Sequence, residues 1–585
     1  MTNGPTAAAP RHAGPEPVEG AAAARGGRTG IEVHVAPVAG TDLVRDYLAG
    51  AAALAPFYAG HPFDPDAYAR KADAVRQRLR AAERKRVAPA LHATTPGAAA
   101  RLEKILGGDG FVVTTGQQTG LFGGPLYTIY KLLTAVRLAQ AVEQIVGEPC
   151  LAVFWMASDD HDWAEANHTT VLDAQDAPQR IALAAAPDAP PVPMSERLLG
   201  DDAVTAVHTL ESVMPTSGFS GPVLDLVRQA YRPGGTMASA FAHLLRGLLQ
   251  HIDVALLDPA NPAVKVAARP LLERELRDAE AHARILTRDA RRIQDAGYHA
   301  QVTIADDAAN VFLHDPLGRD RLVRTDGSWT LRRTRRRLSD AEVVSLLDGD
   351  PSRFSPNVLL RPVVESALLP AVAYVGGPAE VAYFAQIGCL FAAHGIEPPI
   401  VFPRFGVTLV ETRIRKLLDK FAIEPADVRQ PFHELVTRVL REELPPAVVE
   451  PLGRLRASVT HDYDQLADAA ADIDPTLLGW VRRNRNAALS RIDATEKKVL
   501  SHVRKRSAIE TGQLRRAAAH LFPEGVPQER SLNILPFLGR YGDGLLHDIA
   551  DAMHITLAKP APAWRGVSCG ADSSAAGLPE PERAE

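Results

Sequence analysis

Three carboxylates crowd a histidine in SDDHDWAEANH, Ser158 to His168, a concentration of charge that is costly unless it is solvated or used. Asp159, Asp160 and His161 have the right types for a general base or for positioning an amine, and metal binding is open to them as well. His161, Glu165 and His168 fall at i, i+4 and i+7 and share a face if the segment is helical. This is not HExxH, and Asp162 equally suits a helix N-cap. Asn167 adds an amide to the same stretch.

A second cluster is TTGQQTGLFGGPLYTIYK, Thr114 to Lys131. Gly116, Gly123 and Gly124 let backbone approach a ligand, and a helix opening after Pro125 offers N–H groups to an anion. Gln117 and Gln118 supply amides, Tyr127 a hydroxyl, and Lys131, two turns in, a positive charge. Neither GxxxxGK[ST] nor GxGxxG is present, so this is not a P-loop or a dinucleotide fingerprint. A tight strand-to-helix connection with no ligand is the alternative. The third cluster is FSPNVLLRPVVESALLP running into AYVGGPAEVAYFAQ. Ser355, Asn357 and Arg361 precede an apolar run, and Arg361 can take a carboxylate bidentately or pair with Glu365. Gly376 and Gly377 precede another helix start, with Glu380 and Tyr383 on the turns that follow.

The elements around these clusters alternate. FVVTT (111–115) reads as a strand, the glycine loop follows, then LYTIYKLLTAVRLAQAVEQI at helical spacing, then the apolar strand LAVFWMAS (151–158). Strand, loop, helix, strand is the grammar of a βαβ unit. IDVALLDP (252–259), PAVAYV (370–375) and PPIVFPR (398–404) supply further strands of a parallel, Rossmann-like sheet. In such a sheet ligands bind outside the carboxyl ends of the strands, where all three clusters fall. Between Gly297 and Arg333 the pattern changes to short strands, HAQVTI, NVFLHD, DRLVRT and SWTLRR, an antiparallel insertion. From Glu411 to His520 the chain is charged and helical. Leu452, Leu455, Val459 and Leu466 form one apolar stripe, and Leu489, Ile492, Val499 and Val503 another. Pro475 breaks the two arms of a coiled-coil hairpin, whose stripe predicts a homodimer.

The 585 residues exceed one hydrophobic core. The predicted units are a disordered extension (1–30), an α/β core (31–410) with its β insertion near 297–333, a helical coiled-coil domain (411–520), a segment packing on the core (521–563) and a disordered tail (564–585). A formal net charge of −5 gives no footprint for nucleic acid or an anionic membrane. No apolar run spans a bilayer, and the Ala, Gly and Pro of the first thirty residues lack a signal-peptide core. Cys150, Cys389 and Cys569 are sparse and never form CxxC, which fits a reducing cytoplasm, no disulfide framework and no cysteine-built zinc site.

VTTGQQTGLFGGPLYTIYK, FWMASDDHDWAEANH, FSPNVLLRP and AYVGGPAEVAYFAQ, with GYHAQV, NVFLHD and QERSLNILPFLGRYG, resemble in order the signature segments of the BshC family, from about residue 40 to 560. The resemblance implies a ligase for the last step of bacillithiol synthesis, adding cysteine to glucosaminyl malate, with a Rossmann-like core and a coiled coil used in dimerisation. Amide formation in water requires an activated carboxylate, so ATP is the expected cofactor, with no metal beyond its magnesium. HxGH and KMSKS-like segments are absent, and the route of activation stays open. In this reading the Gly116–Gly124 loop and Lys131 hold an anion, Asp160 or His161 handles the amine, and Arg361 binds malate or the cysteine carboxylate. Two other functions remain compatible with the residues: a metal-dependent hydrolase of a sugar amide using Asp159, His161 and His168, and a non-catalytic scaffold.

Overall fold

The computed structural model describes residues 22–557, except 26, 39, 174, 186–189, 306, 443–445 and 507. Six strands form the central sheet: β1 (Leu91–Ala93), β2 (Phe111–Gln117), β3 (Cys150–Met156), β4 (Val254–Leu257), β5 (Ala371–Gly376) and β6 (Ile400–Pro403). Their spatial order is β6-β5-β2-β3-β4-β1, parallel throughout except for the antiparallel edge strand β1. Every residue of β3 is buried. Phe111, Val113, Ala152 and Phe154 pack into one apolar layer, while Val112, Leu151, Val153 and Trp155 pack into the opposite one. That is why β2 and β3 read as continuous apolar runs and not as alternating ones: helices cover both faces of the sheet.

The chain order reverses at the middle of this sheet. From β2 the chain steps to β3 and β4 on one side, and β5 and β6 lie on the other. Side chains at the carboxyl ends of β2 and β5 therefore diverge around a crevice, the topological switch point. Helix α1 (Leu126–Val146) follows β2, and helix α2 (Pro378–Phe384) follows β5.

The insertion is a five-stranded antiparallel sheet built from Ala308–Asp315, Gly318–Thr325, Ser328–Leu331, Arg337–Leu338 and Phe354–Pro356. HAQVTI, expected as a strand, is irregular; Gln386 binds both polar backbone groups of Val302 in place of a strand neighbour. The expected extension 1–30 also needs correcting. Ala22–Arg25 is a strand paired with Glu32–Pro37, which in turn pairs with Phe405–Val410, so both ends of the 31–410 unit meet in one small sheet. Residues 1–21 and the tail 564–585 lie outside the described residues.

Helices α3 (Pro446–Ile473) and α4 (Leu477–Arg506) form an antiparallel hairpin turning at Asp474–Thr476. Its seam near the tip is Tyr463, Ala467, Ala470, Leu478 and Val481, with Arg456 paired to Asp493 (2.7 Å) across the helices. Of the expected stripes, Leu455 and Leu466 face outward, each 52% exposed, and Val499 packs into the base of the helical domain. Leu466 sits beside the seam residue Ala467, so a one-residue rotation of the helix face separates reading from structure.

The last segment closes the core. Arg404, just past β6, donates bidentately to Glu529 (2.7 and 2.8 Å), both side chains being buried. Asn533 donates to the carbonyls of Phe122 and Gly124 (2.9 Å each) and accepts from Leu535 N–H. Phe122 has φ +54°, a conformation held by this staple and by a hydrogen bond from its N–H to the Tyr231 hydroxyl. Asn533→Ala leaves two loop carbonyls without that donor and is expected to destabilise the chain by about 1–3 kcal/mol. Urea unfolding followed by tryptophan fluorescence checks this, and an unchanged midpoint would remove Asn533 from its role.

Candidate active site

A cavity of about 630 Å³ opens at the switch point, lined at the carboxyl ends of β2, β3 and β5 by Gly116, Gln117, Asp159, Asp160, His161 and Gly377. Gln118, Tyr127, Lys131, Asn357, Arg361, Glu380 and Tyr383 complete the expected residues that reach it. Gly116 is required by proximity, because a Cβ there would lie 2.9 Å from the Trp155 carbonyl on the neighbouring strand.

Several expected residues stand elsewhere. Gly123 and Gly124 do not line this cavity; with φ of +89° and +73° they turn the chain toward α1, and Gly124 borders a separate groove. Asn167 is buried beside His168 (3.2 Å) outside the cavity. Ser355 lies one layer back and accepts from Arg319 Nε (2.9 Å), and Gly376 accepts the Arg404 N–H through its carbonyl. Two N–H groups of the anion cradle expected at the α1 N-terminus are taken by protein carbonyls. Leu126 N–H donates to the Leu532 carbonyl (2.8 Å), and Thr128 N–H to Pro125.

Lys131 is likewise committed. Its ammonium donates to the Gly116 carbonyl (2.5 Å), Gln117 Oε1 (3.2 Å) and Glu380 Oε2 (2.6 Å), with the side chain 1% exposed. Burial lowers its pKa, and the Glu380 charge opposes that. Glu380 also accepts from the Tyr374 hydroxyl and from Gly377 N–H (2.7 Å); burial would raise its pKa, but Lys131 and these donors hold it below the usual value. Arg361 pairs with Glu365 and reaches the Tyr383 hydroxyl (3.3 Å), which is the alternative its sequence left open.

The acidic cluster is organised by a residue the sequence reading passed over. Arg319, on the second strand of the insertion, donates to Asp160 Oδ1 (3.2 Å) and to His161 Nδ1 (2.9 Å), and stacks on Phe312. A guanidinium has no acceptor, so His161 Nδ1 presents its lone pair to Arg319 and the ring proton sits on Nε2. Asp160 also accepts from Gln118 and from its neighbour's backbone N–H (2.7 Å). Burial raises the Asp160 pKa, but the Arg319 charge, Gln118 and the His161 backbone N–H outweigh it and hold the carboxyl well below the usual range. Asp160 is therefore ionised and a weak base. Glu165, on the cavity wall, is shifted the other way, raised by burial and then by the Asp162 and Asp160 charges. Asp159 pairs with Lys265 (3.4 Å), and His168 borders the neighbouring groove. Asp159, His161 and His168 thus do not converge on one ion, which corrects the hydrolase alternative.

Arg321 and Arg530 also line the cavity and form no ion pair among the described residues. Arg321 belongs to the insertion, and Arg530 to the QERSLNILPFLGRYG segment, whose late position gave no sign of its distance from the clusters. Cys150 is a buried free thiol whose pKa burial raises, so it is no nucleophile. Cys389 is buried too, and Cys569 lies outside the described residues.

The comparisons match this architecture domain by domain. Residues 31–405 match the model of the bacillithiol biosynthesis BshC N-terminal Rossmann-like domain, and 407–558 that of the BshC C-terminal coiled-coil domain. The chain belongs to the BshC family. Relatives named "Putative cysteine ligase BshC" include one from Salinibacter ruber, 33% identical over 88% of this chain and 94% of that protein. One from Solibacter usitatus is 35% identical over 76% of this chain and 82% of that protein. In the described residues, no helix is long and apolar enough to cross a membrane.

Lys131 gives the clearest test of what is structural here. Lys131→Met strands the Glu380 carboxylate and is expected to cost about 3–5 kcal/mol at pH 7. Glu380 has a depressed pKa when folded, so its contribution is present above the unfolded carboxyl range and lost as pH falls through the folded value. The penalty of Lys131→Met should therefore shrink on acidification, measured by urea unfolding at several pH values. A variant of wild-type stability that no longer binds phosphate esters would restore Lys131 as an anion anchor.

Proposed function

We propose that this chain is a cytoplasmic cysteine ligase that forms an amide bond between the cysteine carboxyl and the amine of glucosaminyl malate, the step that completes bacillithiol. The observation that carries this reading is the ionised Asp160, held by Gln118 and Arg319 at the wall of a cavity that also presents the unpaired Arg321 and Arg530. A carboxylate for a sugar ammonium and two arginines for carboxylates suit an amine-bearing dicarboxylate and an amino acid. The volume is in the range of small-molecule sites.

In this mechanism the ammonium ion-pairs with Asp160, and Glu165 accepts its proton. The freed nitrogen attacks the activated cysteine carbonyl, the C–N bond forms, and the leaving group departs with the electron pair of its C–O bond and carries away the second nitrogen proton. His161, with its proton on Nε2, donates to the developing oxyanion. ATP is the proposed source of activation. Lys131 is already committed to Gly116, Gln117 and Glu380, so it is not the group that would hold a phosphate.

Purified protein with cysteine, glucosaminyl malate and ATP should yield bacillithiol by mass spectrometry, with little product when ATP is omitted. Glu165→Gln should lower turnover roughly 100-fold, the usual worth of a general base. Asp160→Asn should weaken binding of the sugar substrate. It should also move the acidic limb of the pH profile downward, because the Asp160 charge is one of the causes that raise Glu165. Folded protein that makes no bacillithiol with or without ATP would sink the proposal.

We propose further that the hairpin pairs with a second copy of this chain. Leu466, Ile473 and Trp480, all at least 52% exposed, lie around its tip outside the seam. Leu466→Asp with Trp480→Asp is expected to turn a dimer into a monomer in light scattering. A wild-type monomer, or a variant of dimeric mass, would overturn this.

A further inference from the structure

Outside the cavity, three buried side chains meet that the proposed chemistry does not use. Glu275 ends the helix Pro262–Arg277, His282 opens the helix Ala279–Asp295, and His394 follows the short helix Gly388–Ala393. Their exposures are 0%, 3% and 6%. None of the three lines the cavity.

The donors converge. His282 Nδ1 lies 2.6 Å and His394 Nε2 3.1 Å from the same oxygen, Glu275 Oε2. The three ligand atoms all lie within 4.8 Å of one another, and the ring centroids are 4.7 Å apart. Asn310 donates to the other carboxylate oxygen (2.8 Å), fixing which one faces the histidines. Two imidazoles aimed at one oxygen leave that oxygen with two neighbours and the imidazoles with one shared target. An ion at the centre gives each of the three its own bond.

We propose that Glu275, His282 and His394 form a structural site for a divalent transition ion, zinc by its donor set. Imidazole and carboxylate bind zinc at roughly 2.0–2.2 Å, so small shifts of the three groups admit the ion. Asn310 serves as the outer-shell partner that orients the carboxylate. The site pins three helices to the insertion, and its influence reaches the cavity through one residue. Asn310 accepts from the backbone and side-chain N–H groups of Asn357 (2.8 Å each), and Asn357 lines the cavity wall. The ion thereby holds the insertion, with Arg319 and Arg321, in register with the core.

The test uses the full chain, loaded with zinc, desalted and analysed for metal. About one zinc per chain is expected for a site of this donor set. His282→Asn and His394→Gln place an amide N–H near the position of each ring nitrogen. The double variant keeps hydrogen bonds to Glu275 while losing both metal-binding lone pairs, and should lose the zinc. His161→Asn, in the cavity, should retain it. Cobalt-loaded wild type is a second readout that needs no variant: strong visible bands of a four-coordinate ion and two paramagnetically shifted imidazole N–H signals are expected. Wild type that retains no zinc, a folded double variant with undiminished zinc, loss of zinc in His161→Asn, or a cobalt form with only weak octahedral bands would each overturn the proposal.

Discussion

Lys131 and Glu380 stand on helices that leave the central sheet in different directions, and their ion pair spans the gap between them. A parallel sheet whose chain order reverses at its middle has a cleft there by construction, because consecutive helices must go to opposite sides. The Lys131 ammonium closes the floor of that cleft by binding the penultimate carbonyl of one strand and the carboxylate anchored to the first N–H beyond the other. Everything above depends on this floor. Gln117 is oriented from it, Tyr374 and Arg361 pack against it, and the acidic cluster stands on the adjacent strand end.

The strands were legible because a buried parallel strand leaves a distinctive mark: a short apolar run ended by glycine or acid. FVVTTG, CLAVFWM and AVAYVG each carry it. Clusters of chemistry at those ends were legible for the same reason. What could not be read was occupancy. Lys131 looks like an anion anchor until Glu380, 249 residues away, is found in contact with it. The α1 N-terminus looks open until Leu532 supplies its carbonyl. A lone sequence shows which donors exist locally and not which are already taken by distant chain.

Arg319 shows the opposite case, a functional group hidden by bland surroundings. It lies between a turn glycine and two more charged residues in a strand that any soluble sheet might present. Only the fold brings that strand against Asp160. The hairpin was recognised from periodicity, but its facing was not, because both sides of Pro446–Ile473 carry apolar residues and the choice between Leu466 and Ala467 is made by the partner helix.

Arg530, Leu532 and Asn533 reach the cavity and its loop from the extreme end of the described chain. Synthesis runs from the amino terminus, and domains tend to fold as they emerge. The sheet can assemble on the ribosome, yet the loop after its second strand must wait for almost the whole polypeptide before its carbonyls are satisfied. A nascent or prematurely terminated chain would thus carry a nearly complete fold around an unfinished pocket. The pocket is complete only once Arg530 and Asn533 have docked against the cavity and its loop.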